Sequence, residues 1–172
     1  MEQLPMPEDA LLQAAAGAED ALAAAYAQTR GAVYGLALSI VRNRQDAEDV
    51  TQEVYVRLWQ GGCRPEGKPM AWLLTVTRNL ALDCLRRQSR TERLPPAEAF
   101  TAPEPGLSME DRLLLAALLE DLSDQEREIV VLHALWGLKH RETAGLLGLP
   151  LGTVLAKYKR ALNKLREKGV DD

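Results

Sequence analysis

The stretch Lys139–Gly169, KHRETAGLLGLPLGTVLAKYKRALNKLREKG, decides how the C-terminal part of the chain folds. Gly148 and Pro150 separate two runs of helical periodicity, about Lys139–Leu147 and about Leu151–Lys168, and Gly169 closes the second. Ala144 is small where two helices would cross, Gly148 permits a sharp turn, and Val154 is placed to pack the second helix on the first. That spacing predicts a helix-turn-helix. Along the second helix Val154, Tyr158, Ala161, Leu162 and Leu165 make one apolar stripe, which leaves Leu155, Ala156, Lys159, Arg160, Asn163 and Lys164 outward. The outward face is basic, as suits a helix entering a DNA groove. A plain helical hairpin with solvated lysines is the competing reading of the same pattern.

Upstream of this unit, Ser123, Asp124 and Glu126 form a helix start before Ile129–Trp136, and Ser108–Asp121 carries a run of leucines. Between Thr91 and Gly106 lie Pro95, Pro96, Pro103 and Pro105 without sustained apolar periodicity. The expected organisation is a first domain over 1–90, a flexible proline-rich linker over 91–107 and a four-helix domain over 108–172. β-Branched residues nowhere alternate with polar ones over a strand's length, so the expected class is all-α, two small helical domains.

In the first domain the pattern predicts helices near Glu8–Ala16 and Ala18–Val41, with Gly31 and Gly35 weakening the second. Asn43–Asp46 reads as a polar turn, after which Ala47, Val50, Val54 and Leu58 recur at helical spacing. A glycine- and proline-containing loop, Gly61–Pro69, leads into Met70–Arg87, the most apolar helix and the expected centre of the bundle.

The chain has 172 residues, 47% hydrophobic and 27% charged, which is the composition of a folded protein. Its net charge of -4 is unevenly spread: residues 1–60 carry net -5, residues 61–100 net +3, and residues 137–170 net +6. Two basic zones in an acidic frame suit a protein that meets a polyanion at two places. No run of about 18 apolar residues occurs, and Met1–Gln13 lacks the basic start and apolar core of a signal peptide. A cytoplasmic protein without membrane insertion is expected. Cys63 and Cys84 are too few for a disulfide scaffold and read as free thiols, Cys84 within a helix core.

Two further constellations carry chemistry. Trp72, Thr75, Asn79, Asp83, Arg86 and Arg90 fall in one narrow sector of the Met70–Arg87 helix and its continuation. An indole, an amide and arginines in line can stack an unpaired base and hold phosphates, although a solvent-facing helix side has the same polarity. Asp46, Asp49 and Glu53 cluster on the preceding helix, read here as opposite its apolar stripe. Three carboxylates could hold a metal, but a bundle site normally adds inward histidines, and His133 and His140 lie beyond the linker. A docking surface for a basic partner is the better reading, with no metal or cofactor expected.

Three segments resemble a known family. Asp46–Trp59, DAEDVTQEVYVRLW, is similar to the helix by which sigma factors of bacterial RNA polymerase dock on the polymerase clamp. Ala71–Asp83, AWLLTVTRNLALD, with Arg86 and Arg87, looks like the family helix that melts and reads the minus-ten element. Gly148–Val154, GLPLGTV, with Arg160, Ala161 and Leu162, resembles the minus-thirty-five reader. The order of the three and the linker between them match the compact extracytoplasmic-function (ECF) group of the sigma-70 family. The resemblance implies an initiation factor, not an enzyme, that directs core polymerase to promoters and helps separate the strands.

Carried over position by position, it implies polymerase contacts at Asp46, Asp49, Gln52 and Glu53. It implies minus-ten contacts at Arg64, Lys68, Trp72, Thr75, Asn79, Asp83, Arg86, Arg87 and Arg90. It implies minus-thirty-five contacts at His133, Arg141, Thr153, Leu155, Ala156, Lys157, Lys159, Arg160 and Lys164. The implied partners are RNA polymerase core, promoter DNA (double-stranded upstream, single-stranded downstream) and an anti-sigma factor. The chain departs from the family pattern at Leu155 and Ala156, where a basic residue and Ser are common, at His133, often Arg, and at Thr143, commonly aliphatic. Apolar readout at Leu155 and Ala156 would favour thymine methyl groups, while Lys157, Lys159, Arg160 and Lys164 would hold phosphates. A helix-turn-helix regulator that is no sigma subunit is the rival, and it needs neither the acidic helix nor the Trp72 stripe.

Overall fold

The structure is a computed structural model that describes residues 7–63, 68–88 and 120–168. The described residues form seven helices and the chain divides into two compact units, 1–99 and 100–172. The expected linker, most of the leucine-rich run from Ser108, and both Arg64 and Arg90 lie outside the described residues.

The first unit holds α1 (Pro7–Ala15), α2 (Glu19–Val41), α3 (Arg44–Trp59) and α4 (Pro69–Gln88). Its centre is α2, which packs against α1, α3 and α4, rather than α4 as its apolar sequence suggests. Every residue from Gly35 to Val41 is buried, so this part of α2 is enclosed on all sides. α4 cannot take that place because it keeps Thr75, Asn79, Asp83 and Arg86 exposed along one side. The two glycines that weaken α2 locally do not interrupt it, since packing rather than propensity supplies most helix stability in a folded unit.

Asn43 and the residues after it are not a turn of their own. Asn43 caps α3: its side-chain oxygen accepts from the Asp46 N–H at 3.1 Å, and the helix begins at Arg44. Just before it, Arg42 ends α2 in the left-handed region at φ 55 and sends its N–H to the Leu38 carbonyl at 2.9 Å. The two-residue link thereby turns the chain back so that Ala47, Val50, Val54 and Leu58 face the interior.

The second unit, within the described residues, contains α5 (Asp124–Ala134), α6 (His140–Leu147) and α7 (Leu151–Glu167). Ser123 and Glu126 form a reciprocal cap at the start of α5. Gly148 ends α6 at φ 65, and Leu149 sends its N–H to the Ala144 carbonyl at 3.0 Å, so the turn into Pro150 and α7 is closed by backbone bonds. Ile129, Ala144 and Val154, one from each helix, form the core, with Leu147, Leu149 and Tyr158 packed around them. This is the arrangement expected of a helix-turn-helix from the Ala144, Gly148 and Val154 spacing.

Candidate nucleic-acid and polymerase interfaces

On α4 the sector chosen from the sequence is open. Thr75, Asn79, Asp83 and Arg86 are exposed, Lys68 stands exposed just before the helix, and Trp72 is half-buried at its near end. The Trp72 indole is held by the loop before α4: a Cβ placed on Gly62 would come 2.8 Å from the indole and 2.8 Å from the Arg57 carbonyl oxygen. Only a glycine lets that loop lie flat against the ring. Arg86 donates to the Asp83 carboxylate at 2.9 Å, an exposed pair that solvent screens and a phosphate can replace. Arg87 departs from this stripe. It lines the groove on the α3 side of the helix.

That groove, of about 510 Å³, runs between α3 and α4 and is lined by Asp46, Asp49, Val50, Glu53 and Arg57 on one side and Leu80, Cys84 and Arg87 on the other. The acidic residues therefore flank the seam with α4 and do not stand opposite the apolar stripe of α3. The reason is that Val50 sits next to them on the helical wheel and is itself part of the packed surface. Each carboxylate already has a neighbour: Asp46 accepts from the Gln88 amide, Asp49 from Gln45 at 3.1 Å and Glu53 from Arg57 at 2.9 Å. Gln52 is exposed outside the groove. The two cysteines are free thiols. Cys63, in the loop, is buried, while Cys84 is only partly so and borders the groove, the reverse of what a helix-core position suggests. Burial raises both thiols, with Asp46 adding to the effect at Cys84.

On α7 the outward positions Leu155, Ala156, Lys159 and Arg160 are exposed, Leu155 by 46%. Arg141 on α6 is also exposed, whereas Thr153 and Lys157 are half-buried. Two residues drawn from the family pattern are engaged inside the unit. His133 stacks on His140 with ring centroids 4.5 Å apart and meets Tyr158 at 5.0 Å; its Nδ1–H donates to the Leu138 carbonyl at 2.9 Å. Lys164 donates to Glu126 at 2.8 Å, and Arg160 lies 3.8 Å from the same carboxylate.

Glu126 was legible from the sequence as a capping residue but not as a buried anion. It is 2% exposed. Burial opposes its charge, but the Lys164 hydrogen bond, the Ser123 N–H and the charges of Lys164 and Arg160 outweigh that and hold its carboxyl below the usual range. The neighbouring Arg127 is equally buried and donates to the Leu122 carbonyl at 3.2 Å and to Asp124 at 2.8 Å. No periodicity argument finds such a pair, because charged residues in a capping segment normally read as exposed.

Comparison with known proteins agrees with this architecture. Residues 25–91 match Sigma-70 region 2 and residues 112–165 match Sigma-70, region 4. The chain is 32% identical over 171 residues to the ECF RNA polymerase sigma factor SigK of Mycolicibacterium vanbaalenii, covering 92% of this chain and 87% of that one. Among solved structures it resembles CnrH in complex with the cytosolic domain of CnrY, at 27% identity and TM-score 0.60, with 94% of this chain and 95% of the other covered. It also resembles the sigma factor RpoE in complex with the anti-sigma factor NepR from Bartonella quintana, at 26% identity and TM-score 0.65, covering 83% and 92%. A region 2 bundle followed by a region 4 helix-turn-helix defines a sigma-70 family protein. The chain belongs to the ECF group of that family: it is a transcription initiation factor, not an enzyme, and directs RNA polymerase to promoters. No helix among the described residues is long and apolar enough to cross a membrane.

Proposed function

We propose that this sigma factor divides its work among three surfaces. The α3–α4 groove docks on the polymerase core through Asp46, Asp49 and Glu53 with Gln52 beside them; its apolar floor of Val50 and Leu80 supports a packed contact rather than a purely ionic one. The exposed stripe of α4 takes the non-template strand of the minus-ten element once it is unpaired, with Trp72 as the stacking ring and Lys68, Asn79 and Arg86 as polar and phosphate contacts. Arg64 and Arg90 extend that set, and Arg87 joins the polymerase side. On α7, Leu155 and Ala156 meet base edges of the minus-thirty-five element while Arg141, Lys157, Lys159 and Arg160 hold phosphates.

The observation that carries the reading is the α4 stripe: a half-buried indole at one end of an otherwise exposed polar row on a helix whose other sides are packed. Solvation needs no aromatic ring there. A base leaving the duplex does, and a stacked base contributes roughly 1 to 3 kcal/mol. Strand separation is thus assigned to this unit. The work is done in the cytoplasm, where the polymerase is. An anti-sigma factor that covers these surfaces is a further proposed partner, supported by the RpoE–NepR complex among the similar structures.

The test is promoter opening by holoenzyme assembled with Trp72→Ala and Asn79→Ala. Permanganate reactivity of promoter thymines should fall much more than initial promoter binding, with helicity and core affinity as controls. Parent-like reactivity would remove α4 from strand separation.

A further inference from the structure

The carboxylate of Glu126 stands at the meeting of two structures. Its Oε2 accepts from the Ser123 N–H at 3.0 Å, which caps α5, and from Lys164 Nζ at 2.8 Å, which belongs to α7. Its Oε1 lies 3.8 Å from Arg160 Nη1. The first turn of α5 favours an anion there, since the unsatisfied N–H groups of a helix start carry partial positive charge. Two residues before Ser123, the cap of α5, Asp121 holds Lys168 at 2.6 Å. One flank of the recognition helix, Arg160, Lys164 and Lys168, is therefore faced by carboxylates of its own domain.

This flank borders the face that carries Leu155, Ala156 and Lys159. Lys164 is 37% exposed and Arg160 60%, so both side chains reach solvent at the edge of the proposed DNA surface. A lysine amine swings on a long flexible stem and takes a phosphate as readily as a carboxylate. Arg160 is held only at long range and remains able to turn outward. Lys164 is held by a short charge-assisted bond to a buried acceptor, the stronger kind of hydrogen bond.

We propose that Glu126 is a positioning residue for promoter recognition, which withholds Lys164 from DNA phosphate and so limits the sequence-independent affinity of the recognition helix. The cap does not require the charge, because Gln serves at the third helical position of a capping box as Glu does. The negative charge is what Lys164 responds to. The inference rests on α7 being the upstream reader, and the experiment separates the two.

Binding of holoenzyme to a double-stranded minus-thirty-five fragment and to an unrelated duplex is measured from 50 to 200 mM salt. Lys159→Ala should flatten the dependence of log affinity on log salt by about one, as loss of a phosphate contact does. If it does not, α7 is not on phosphate and the reading of this surface fails. Given that control, Glu126→Gln should steepen the slope by about one and tighten both duplexes by roughly threefold at the low-salt end relative to the high-salt end. Adding Lys164→Ala to Glu126→Gln should restore the parent slope. A slope that is unaltered or shallower in Glu126→Gln, with a parent-like circular dichroism spectrum, overturns the proposal, since a residue with only a folding role would weaken binding without steepening it. Lys164→Ala in the parent background needs no change at Glu126 and gives a second decision. It should flatten the slope by less than half as much as Lys159→Ala. Equal flattening would mean that Lys164 already sits on phosphate, and the proposal falls.

Discussion

The interiors of the two units handle polar groups in opposite ways. In the first unit the buried hydroxyls of Thr29, Thr51 and Thr77 donate to the carbonyl one turn back in their own helix, at 2.6, 2.7 and 2.7 Å, and Ser39 donates to Leu36 at 2.7 Å. Thr29 also meets the Tyr55 hydroxyl at 2.7 Å, a polar link between α2 and α3. Among the described residues of the second unit the buried polar ones are Glu126, Arg127 and Thr143, and Glu126 joins α5 to α7. A hydroxyl satisfied within its own turn says nothing about where the next helix lies. A buried carboxylate bonded across helices does, so in the second unit a charge pair joins α5 to α7 beside their shared apolar core, while the packing of α4 rests on shape.

The contrast is broken most severely by a cavity. Ile129→Ala should cost about 2 to 5 kcal/mol, the range for a fully buried aliphatic side chain. It removes a fully buried side chain from the cluster it forms with Ala144 and Val154, so the second unit should unfold first in denaturant. Leu58→Ala, of similar cost, should leave the second unit's transition in place. If either change moves both transitions together, the units are not independent and the comparison fails.

Shape dependence in the first unit is sharpened at Gly62. Gly62→Ala should cost about 1 to 3 kcal/mol, because a methyl group there meets the Arg57 backbone oxygen and the Trp72 ring. The fluorescence of the tryptophans should shift with it, and promoter opening should weaken more than core binding. An unshifted spectrum would show that Trp72 is not held by this loop.

Charge dependence in the second unit is tested by pH through His140. Its Nδ1 is buried with no partner among the described residues, and burial, together with the neighbouring His133, lowers its proton affinity below the ordinary 6.5. The unfolded chain then binds the proton more readily than the folded one. The contribution of neutral His140 is therefore complete above pH 6.5 and is lost as pH falls from there through the lowered folded value. Thermal melts of the second unit should show this loss, and His140→Phe, which keeps the stack on His133 and Tyr158, should reduce it. An equal acid dependence in the variant would assign the effect elsewhere.

The smallest expected effect is a gain. Thr143 is fully buried and its hydroxyl meets no partner among the described residues. Thr143→Val keeps the shape and should stabilise the second unit by about 1 kcal/mol. A lower melting temperature would mean that the hydroxyl is bonded after all.

Much of this was legible in the residues. The all-helical class, the Ala144, Gly148 and Val154 turn, the cap at Ser123 and the exposed side of α4 follow from periodicities and local geometry, which act over a few residues. The acidic helix was legible as acidic, but not its place beside α4. Nor was the centre of the first bundle, because apolar content does not tell how many neighbours a helix has; α2 earns its position through small residues that let others approach on every side.

By itself the sequence determined which of the described segments are helical, the cap at Ser123 and the turn at Gly148, since these depend on residues three and four positions apart. Only the tertiary structure decided which charged groups pair from one helix to another. Lys164 and Glu126 are 38 positions apart, and Gln88 and Asp46 are 42 apart. Helical phase alone puts Lys164 on an outward face and Asp46 away from the core. Which of those side chains then meets solvent is set by the helix packed alongside, whose end brings a buried carboxylate to one and an amide to the other.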